Sequence, residues 1–534
     1  MQRTIMPATA AIAAPSPAHP ADPLWTRAIL IGTPESVAGL AAHLSRLPGA
    51  PVPVGCLLAG PEAVREGVVA TLGVPVLGSV EDLPKLHAAQ PFTAAIVSIP
   101  GGMPAATLKL RAQLRQLHIA ERTVPPLAEM LAVAGPTRPG GIAPAIDMVD
   151  LIGRTPYGID RRAVARVIEG KRVLVTGAGG SIGSEICRIA ATFRPAQLVL
   201  AERSENALFE IDRQIARRFP DLPRKALLHD ITDAESTLRQ FVGLRPQTIF
   251  HSAAHKHVPL MEDHPSHAVT NNLFGTKSVA DAAMAVGAER FVMISSDKAV
   301  NPTSVMGATK RLAEMYVQHC NALARGRPGP TTSFTMVRFG NVLGSACSVL
   351  PIWSAQLAEG GPITVTDPRM TRYFMTIHEA ATLVIQAGAI DAHDTSAGPQ
   401  PTIFVLDMGE PIRILDLAQR FVALHGFEPR VAGLAGGQAA SHVGGPALRL
   451  SGREIDILFT GARPGEKLFE ELAYDAEGLL PTPYPGILAL AASVRAEFDA
   501  SAMVADLSAV RSGASPGPVI EMIRRHVPEM TRPG

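Results

Sequence analysis

The segment Arg172-Val173-Leu174-Val175-Thr176, running straight into Gly177-Ala178-Gly179-Gly180-Ser181-Ile182-Gly183, constrains the fold more than any other stretch of the chain. Its first five residues read as a buried strand. The glycines Gly177, Gly180 and Gly183 follow, ahead of a helical stretch from Ser184 to Thr192. They permit a tight turn and close backbone approach, while the helix start, with Ser181 and Ile182, offers free N–H groups to a pyrophosphate. The next strand, Gln197 to Ala201, closes on Glu202, 25 positions after Gly177, where the usual spacing is about 20. A carboxylate there suits a ribose diol and repels a 2′-phosphate, which favours NAD; adjacent Arg203 keeps NADP as the lesser alternative. After a further strand, Asp230, with Ile231, either faces the adenine edge or caps a helix ahead of Asp233.

Alternating short apolar runs and helical stretches place the chain in the α/β class, with parallel sheets covered by helices. At 534 residues it is too long for one ordinary domain. A first Rossmann-like unit begins at Ala28-Ile29-Leu30-Ile31 and is expected to end near Ala134. Its turn, Gly32-Thr33-Pro34-Glu35-Ser36-Val37, lacks the later glycines, and Pro34 removes an N–H. A degenerate, CoA-binding-like shell without tight dinucleotide binding is the expectation. Residues 1–24 read as an Ala/Pro-rich tail, residues 135–170 as a Gly/Pro-rich linker and connecting arm, and residues 171–534 as the second unit. The Gly/Ala-rich stretch Val431 to Pro446 reads as a surface loop.

Lys+Arg 49 against Asp+Glu 48 gives no basic field for nucleic acid or anionic lipid. Cys56, Cys187, Cys320 and Cys347 are widely spaced, with no ligand-like cluster, so no metal is expected and the thiols read as reduced. No run reaches the roughly 18–20 apolar residues that span a bilayer, and Pro7 interrupts the one short signal-like stretch. The expectation is a cytoplasmic protein with no integral membrane segment.

Two further segments bear chemistry. Thr248-Ile249-Phe250-His251 leads into Ser252-Ala253-Ala254, where the small side chains of Ala253 and Ala254 let a cofactor lie close to backbone; His255, Lys256 and His257 follow. These three are either solvated turn residues or, for His255 and Lys256, substrate contacts. Ser295-Ser296-Asp297-Lys298 precedes a helix on which Met306 stands four residues before Lys310. A thioether exchanges no proton, so acid–base work falls to the neighbours Ser296, Asp297 and Lys298.

The ordered set GAGGSIGSE, AAHKHVPLMED, SSDKAVNPTSVMGATKR, RFGNVLGS, MTRYFMT and GARPGEKLFEEL resembles the CapD-type polysaccharide-biosynthesis family. Within the extended short-chain dehydrogenase/reductase superfamily, it is most similar to the long, Met-containing UDP-N-acetylglucosamine 4,6-dehydratases. The resemblance implies a second unit with a small substrate-binding subdomain and a UDP-sugar substrate. It implies a cycle in which hydride leaves sugar C4 for NAD, water is lost across C5 and C6, and hydride returns to C6. Ser296 then orients a hydroxyl, Asp297 acts as acid at O6 and Lys298 as base at C5. For that, Lys298 must be desolvated or set beside positive charge, with the nicotinamide cation and Lys310 as the candidate neighbours. Lys310 also binds the ribose, and Met306 walls the nicotinamide. Arg338, Asn341 and Ser345 stand where the family contacts the nucleotide-sugar, although Ala346 and Cys347 replace its usual Arg-Gly. Arg372, Arg463 and Glu466 are candidates around the diphosphate, or else loop residues in solvent. Homo-oligomerisation through helices near Asn272 to Val286 and Gly307 to His319 is implied by the fold. Alternatives are a sugar epimerase, a 5-inverting dehydratase, or a catalytically silent sugar-nucleotide-binding regulator.

Overall fold

The computed structural model describes residues 27–44, 52–59, 74–89, 92–99, 104–117, 119–124, 151–153, 156–326, 331–390, 402–431, 454–474, 478–491, 498–513 and 515–531. The expected tail, the Gly/Pro-rich linker and the loop after Val431 lie outside these residues. The chain divides into two compact units, Met1–Ala145 and Ile146–Gly534.

In the first unit five parallel strands lie in the order Val76–Ser79, Val52–Leu58, Arg27–Gly32, Ala94–Ser98, Ala120–Thr123. The central strand alternates between two cores: Ala28 and Leu30 enter one, Ile29 and Ile31 the other, as the two-residue period of a strand buried on both faces requires. At its end Gly32 is obligatory, because a Cβ there would lie 2.2 Å from the Ser98 carbonyl oxygen.

The second unit is built on a nine-stranded sheet. Seven parallel strands run Arg224–Leu228, Gln197–Glu202, Arg172–Thr176, Thr248–His251, Arg290–Ile294, Ser333–Arg338, Ile403–Leu406, and two antiparallel strands, Ile487–Leu490 and Leu479–Pro481, complete the far edge. Strand order reverses between Arg172–Thr176 and Thr248–His251, which opens a crevice at their carboxyl ends. Val173 and Val175 face one core and Leu174 the other. Small sheets, among them Ile363–Val365 with Glu454–Phe459 and Glu428–Val431, form the C-terminal subdomain.

Three expectations change. The second unit starts before Lys171: helix Arg161–Ile168, capped by the Asp160 carboxylate on Arg162 N and Ala163 N, buries Val164, Val167 and Ile168 in the core that holds Val175 and Ile186. The phosphate-side helix spans Ser181–Thr192, so Ser181, Ile182 and Gly183 form its first turn rather than the loop before it. One of the two helices expected to pair subunits is covered by the chain's own C-terminal helices. Helix Val305–Arg325 is buried along most of its length, sharing a core with Met503, Leu507, Val519 and Ile523 from the chain's own helices Ala500–Val510 and Pro516–His526. Among the described residues, no helix is long and apolar enough to cross a membrane. Cys56, Cys187 and Cys320 are buried, Cys347 is exposed, and all four are free thiols.

Candidate active site

The glycine turn forms one wall of a cleft of about 300 Å³. Gly177 has φ +65°, and a Cβ on it would meet Ala253 Cα at 2.8 Å. A Cβ on Gly183 would lie 2.1 Å from Gly177 O, whereas one on Gly180 would meet only that oxygen, at 3.2 Å. Gly177 and Gly183 therefore hold the turn together, and Gly180 keeps the cleft open. Of the expected cofactor residues, Gly177, Gly180, Glu202, Arg203, Ile231, Ala253 and Ala254 line the cleft. Glu202 accepts from Gly179 N (3.1 Å), Arg203 N (2.9 Å) and Ser204 N (3.1 Å), which ties the turn to the next strand.

Ser181, Ile182, Gly183, Asp230 and Lys310 are not on this lining. Ser181 Oγ accepts from Ala346 N (3.1 Å), and Ile182 packs against the core. Asp230 accepts from both the backbone and hydroxyl of Thr232 (2.9 and 2.8 Å), closing its own turn. Burial opposes its ionisation, but these bonds and the Arg203 charge outweigh it and hold the carboxyl below the usual range. His255, expected at the substrate, lines this glycine-turn cleft instead, where its Nε2 lies 3.3 Å from Arg203 Nη2.

The sequence reading missed Asn271 and Asn272. The π-helical turn Val269–Phe274 breaks the ordinary helical register. Asn271 reaches the cleft and accepts from Arg203 Nη1 (3.4 Å). Fully buried Asn272 bonds His255 N (2.8 Å), His255 O (3.0 Å) and Thr309 Oγ1 (3.1 Å). Two adjacent asparagines ahead of an apolar helix were the available signal.

A second cleft, of about 420 Å³, begins at Lys256, the neighbour of His255. Lys256, Lys298, Arg372, Arg463 and Lys467 line it against Glu466 and Glu470, and this excess of cations suits a diphosphate. Asn341 also lines it; Ser345 does not. Lys256 Nζ donates to Ala346 O (2.9 Å), so the Ser345–Cys347 turn is strapped between Lys256 and Ser181. Arg372 is less free than expected: Nη1 donates to Thr371 O (2.7 Å) and Leu468 O (3.2 Å), and Nη2 to Lys467 O (2.8 Å). Glu466 accepts from Arg463 N (3.0 Å) and closes that turn. Arg338 leaves the site altogether; it is fully buried, with Nε and Nη2 each 2.7 Å from Glu314 oxygens.

The strand Arg290–Ile294 delivers Ser296, Asp297 and Lys298 beside the second cleft in a single 3₁₀ turn. Asp297 is fully buried. Its Oδ1 accepts from Ser296 Oγ (2.7 Å), Lys298 N (2.8 Å) and Lys298 Nζ (3.1 Å), while Oδ2 is buried with no partner among the described residues. Lys298 Nζ also lies 3.3 Å from Glu470 Oε1 and 3.4 Å from Asn341 Oδ1. Burial works against its charge, but Asp297 and Glu470 outweigh burial and raise its pKa above the usual lysine value, opposite to the expected depression. The cation that opposes them is Arg372, not Lys310. Lys310 is the depressed lysine: burial pushes it down to about 8, against the pull of Glu314, and its Nζ donates to Ile294 O (2.6 Å). Met306 is 3% exposed, packs in the core and lines neither cleft, so its position is that of a core side chain.

A parallel sheet with a glycine turn at its switch point, and a cationic cleft adjoining it, define an extended short-chain dehydrogenase/reductase unit. Residues 173–492, more than half of the chain, match the family model described as polysaccharide biosynthesis protein, and the chain belongs to that family. It is 42% identical over 402 residues to the probable polysaccharide biosynthesis protein EpsC of Bacillus subtilis, covering 75% of this chain and 61% of that one. Against the capsular polysaccharide biosynthesis protein CapD of Staphylococcus aureus it is 43% identical over 328 residues, 61% of this chain and 49% of that one. The chain thus spans about half to three fifths of these relatives' length. A UDP-N-acetylglucosamine 4,6-dehydratase (inverting) of Campylobacter jejuni is 30% identical over 222 residues, 41% of this chain and 64% of that one. The solved structure of Pen from Bacillus thuringiensis matches with TM-score 0.50 and 31% identity, covering 60% of this chain and 89% of that one.

Proposed function

We propose that the chain is an NAD-dependent nucleotide-sugar 4,6-dehydratase of polysaccharide biosynthesis, acting on UDP-N-acetylglucosamine. The observation that carries this reading is the Asp297–Lys298 pair, held by Ser296 beside a cationic cleft that adjoins a dinucleotide-type glycine turn. Binding alone requires no buried carboxylate with a free oxygen, so the pair argues against a silent regulator. The glycine cradle, open at Gly180, fits a pyrophosphate, and Glu202 fits a ribose diol, which favours NAD over NADP. NAD, when bound, supplies reversible hydride acceptance.

The chain's own groups handle the protons. Ser296 orients the C4 hydroxyl, and its proton passes to Asp297 as C4 is oxidised. The resulting 4-ketone acidifies the C5 proton, which Lys298 removes as a neutral amine. Asp297 gives its proton to the departing C6 hydroxyl, releasing water, and Lys298 returns a proton to C5 when hydride reaches C6. Lys256, Arg463 and Lys467 hold the diphosphate by charge. A 5-inverting outcome is the second reading, favoured by the Campylobacter jejuni relative. Incubation of the purified protein with UDP-N-acetylglucosamine should yield a product lighter by one water, with no accumulation of free NADH. Stoichiometric NADH release refutes the cycle, and the configuration at C5 separates the two readings.

A further inference from the structure

Lys298 begins with a proton it must lose. An ammonium accepts nothing, and Asp297 Oδ1 on one side and Glu470 Oε1 on the other hold it charged. Asp297 Oδ1 already accepts from Ser296 Oγ and Lys298 N, and the scheme needs Asp297 ionised to take the C4 hydroxyl proton. Glu470 is different. It comes from the far C-terminal segment, its side chain is 2% exposed, and its Oε2 is buried with no partner among the described residues. The charged groups that face it are Lys298, Asp297, Arg372 with Nε at 3.7 Å, and Lys467. Arg372 spends its Nη donors on backbone carbonyls, and Lys467 Nζ donates to Val300 O (2.9 Å). Burial, helped by the Asp297 charge, outweighs the pull of Lys298, Arg372 and Lys467 and leaves the carboxyl above its usual range. Asp297 Oδ2 is equally without a partner among the described residues, but Asp297 Oδ1 is tied to Ser296 Oγ and Lys298 N, so Glu470 is the carboxyl left to take the Lys298 proton.

We propose that Glu470 is the positioning residue that takes the Lys298 proton and so makes Lys298 a base; this rests on the dehydratase reading. An N–H bond of the ammonium breaks, its electron pair stays on nitrogen, and an O–H bond forms at Glu470 Oε1. Filling the cleft removes water from the pair, and a drier environment favours the neutral amine and acid over separated charges. Glu470 keeps this proton while the amine shuttles the C5 proton, so the balance of the cycle is unchanged.

The test measures loss of water from UDP-N-acetylglucosamine between pH 6 and 8, together with enzyme-bound reduced nicotinamide as the readout of C4 oxidation. Because the proton moves internally, elimination by the native protein should be nearly flat with pH. In Glu470→Gln, Lys298 must discharge its proton to bulk solvent, so elimination should fall about 10–100-fold at pH 7 and climb about tenfold per pH unit. Glu470→Asp keeps an acceptor and should restore the flat profile at a reduced rate. C4 oxidation should survive in both. If Glu470→Gln lowers elimination uniformly, with a profile parallel to that of the native protein, Glu470 is only structural and the inference is wrong while the dehydratase reading stands. If the native protein forms no dehydrated product, the reading fails and the inference with it.

Discussion

Glu314→Gln tests the charge network beneath the turn Asp297–Ala299. Glu314 is fully buried, accepts from Arg338 Nε and Nη2 at 2.7 Å, from Arg311 Nη1 at 3.2 Å, and from Ser295 Oγ at 2.7 Å. Burial opposes its ionisation, but Arg338 above all, then Arg311, outweigh burial and hold the carboxyl down at about 2. Against an ordinary value of 4.5, this corresponds to roughly 3 kcal/mol of preference for the ionised state. Removing one partner of a buried pair costs about 3–5 kcal/mol, since the other charge is left uncompensated. Glu314→Gln should therefore lose about 3 kcal/mol at pH 7. The folded value lies below the unfolded one, so the stabilisation is full above about 4.5 and disappears as pH falls through about 2. Urea unfolding read from Trp353 fluorescence, in a Trp25→Phe background so that only the second unit reports, measures the difference across that window. A loss below about 1 kcal/mol at pH 7, or a difference that does not shrink with acid, would refute the reasoning.

Other outcomes follow from single contacts. Gly183→Ala, whose Cβ would lie 2.1 Å from Gly177 O, should abolish NAD binding in equilibrium dialysis, while Gly180→Ala should retain the fold and weaken binding only. His251, bonded between Thr176 and Thr276, is pushed by burial, then by Lys310, to about 3. The unfolded chain thus binds the extra proton first, and stability should fall as pH drops from about 6.5 towards 3; His251→Gln should flatten that slope in thermal scans. Lys298→Ala should lower elimination at least about 10²-fold yet leave C4 oxidation. Met306→Ala should cost about 2–4 kcal/mol of stability through a core cavity and less than tenfold in elimination, and equal damage to elimination by both changes would contradict the assignment.

The fold was legible because its signals are local. The strand Arg172–Thr176, the turn at Gly177 and the carboxylate at Glu202 follow one another along the chain, and a parallel sheet needs little more to be inferred. The turn proposed to be catalytic could be picked out for the same reason, as Ser296, Asp297 and Lys298 are consecutive. What sequence reasoning missed is what it takes from afar. A lysine beside an aspartate does not reveal whether a second carboxylate arrives to keep it charged, and Arg338 does not reveal that Glu314 waits for it in the core. Met306 stood at a register position that suggested the cofactor, but the hydrophobic packing of its helix claimed it.

The remote partners share a purpose. Lys467 Nζ donates to Val300 O (2.9 Å), Tyr474 Oη to Ala299 O (3.1 Å), Asn301 Nδ2 to Glu471 Oε2 (2.6 Å), Thr303 Oγ1 to Gly465 O (3.1 Å) and Thr531 N to Pro302 O (3.1 Å). The loop from Asp297 to Ser304 is thus fastened almost residue by residue to segments remote from it in sequence. Acid–base groups need placement to within about half an ångström, and a short turn between a strand and a helix does not provide that alone. The clamp that supplies Glu470 is also the one that fixes Lys298, so the proton acceptor and the base are positioned by the same backbone. Loosening it at Lys467 or Tyr474 should then disturb elimination before it disturbs binding at the glycine turn, which stands on separate strands.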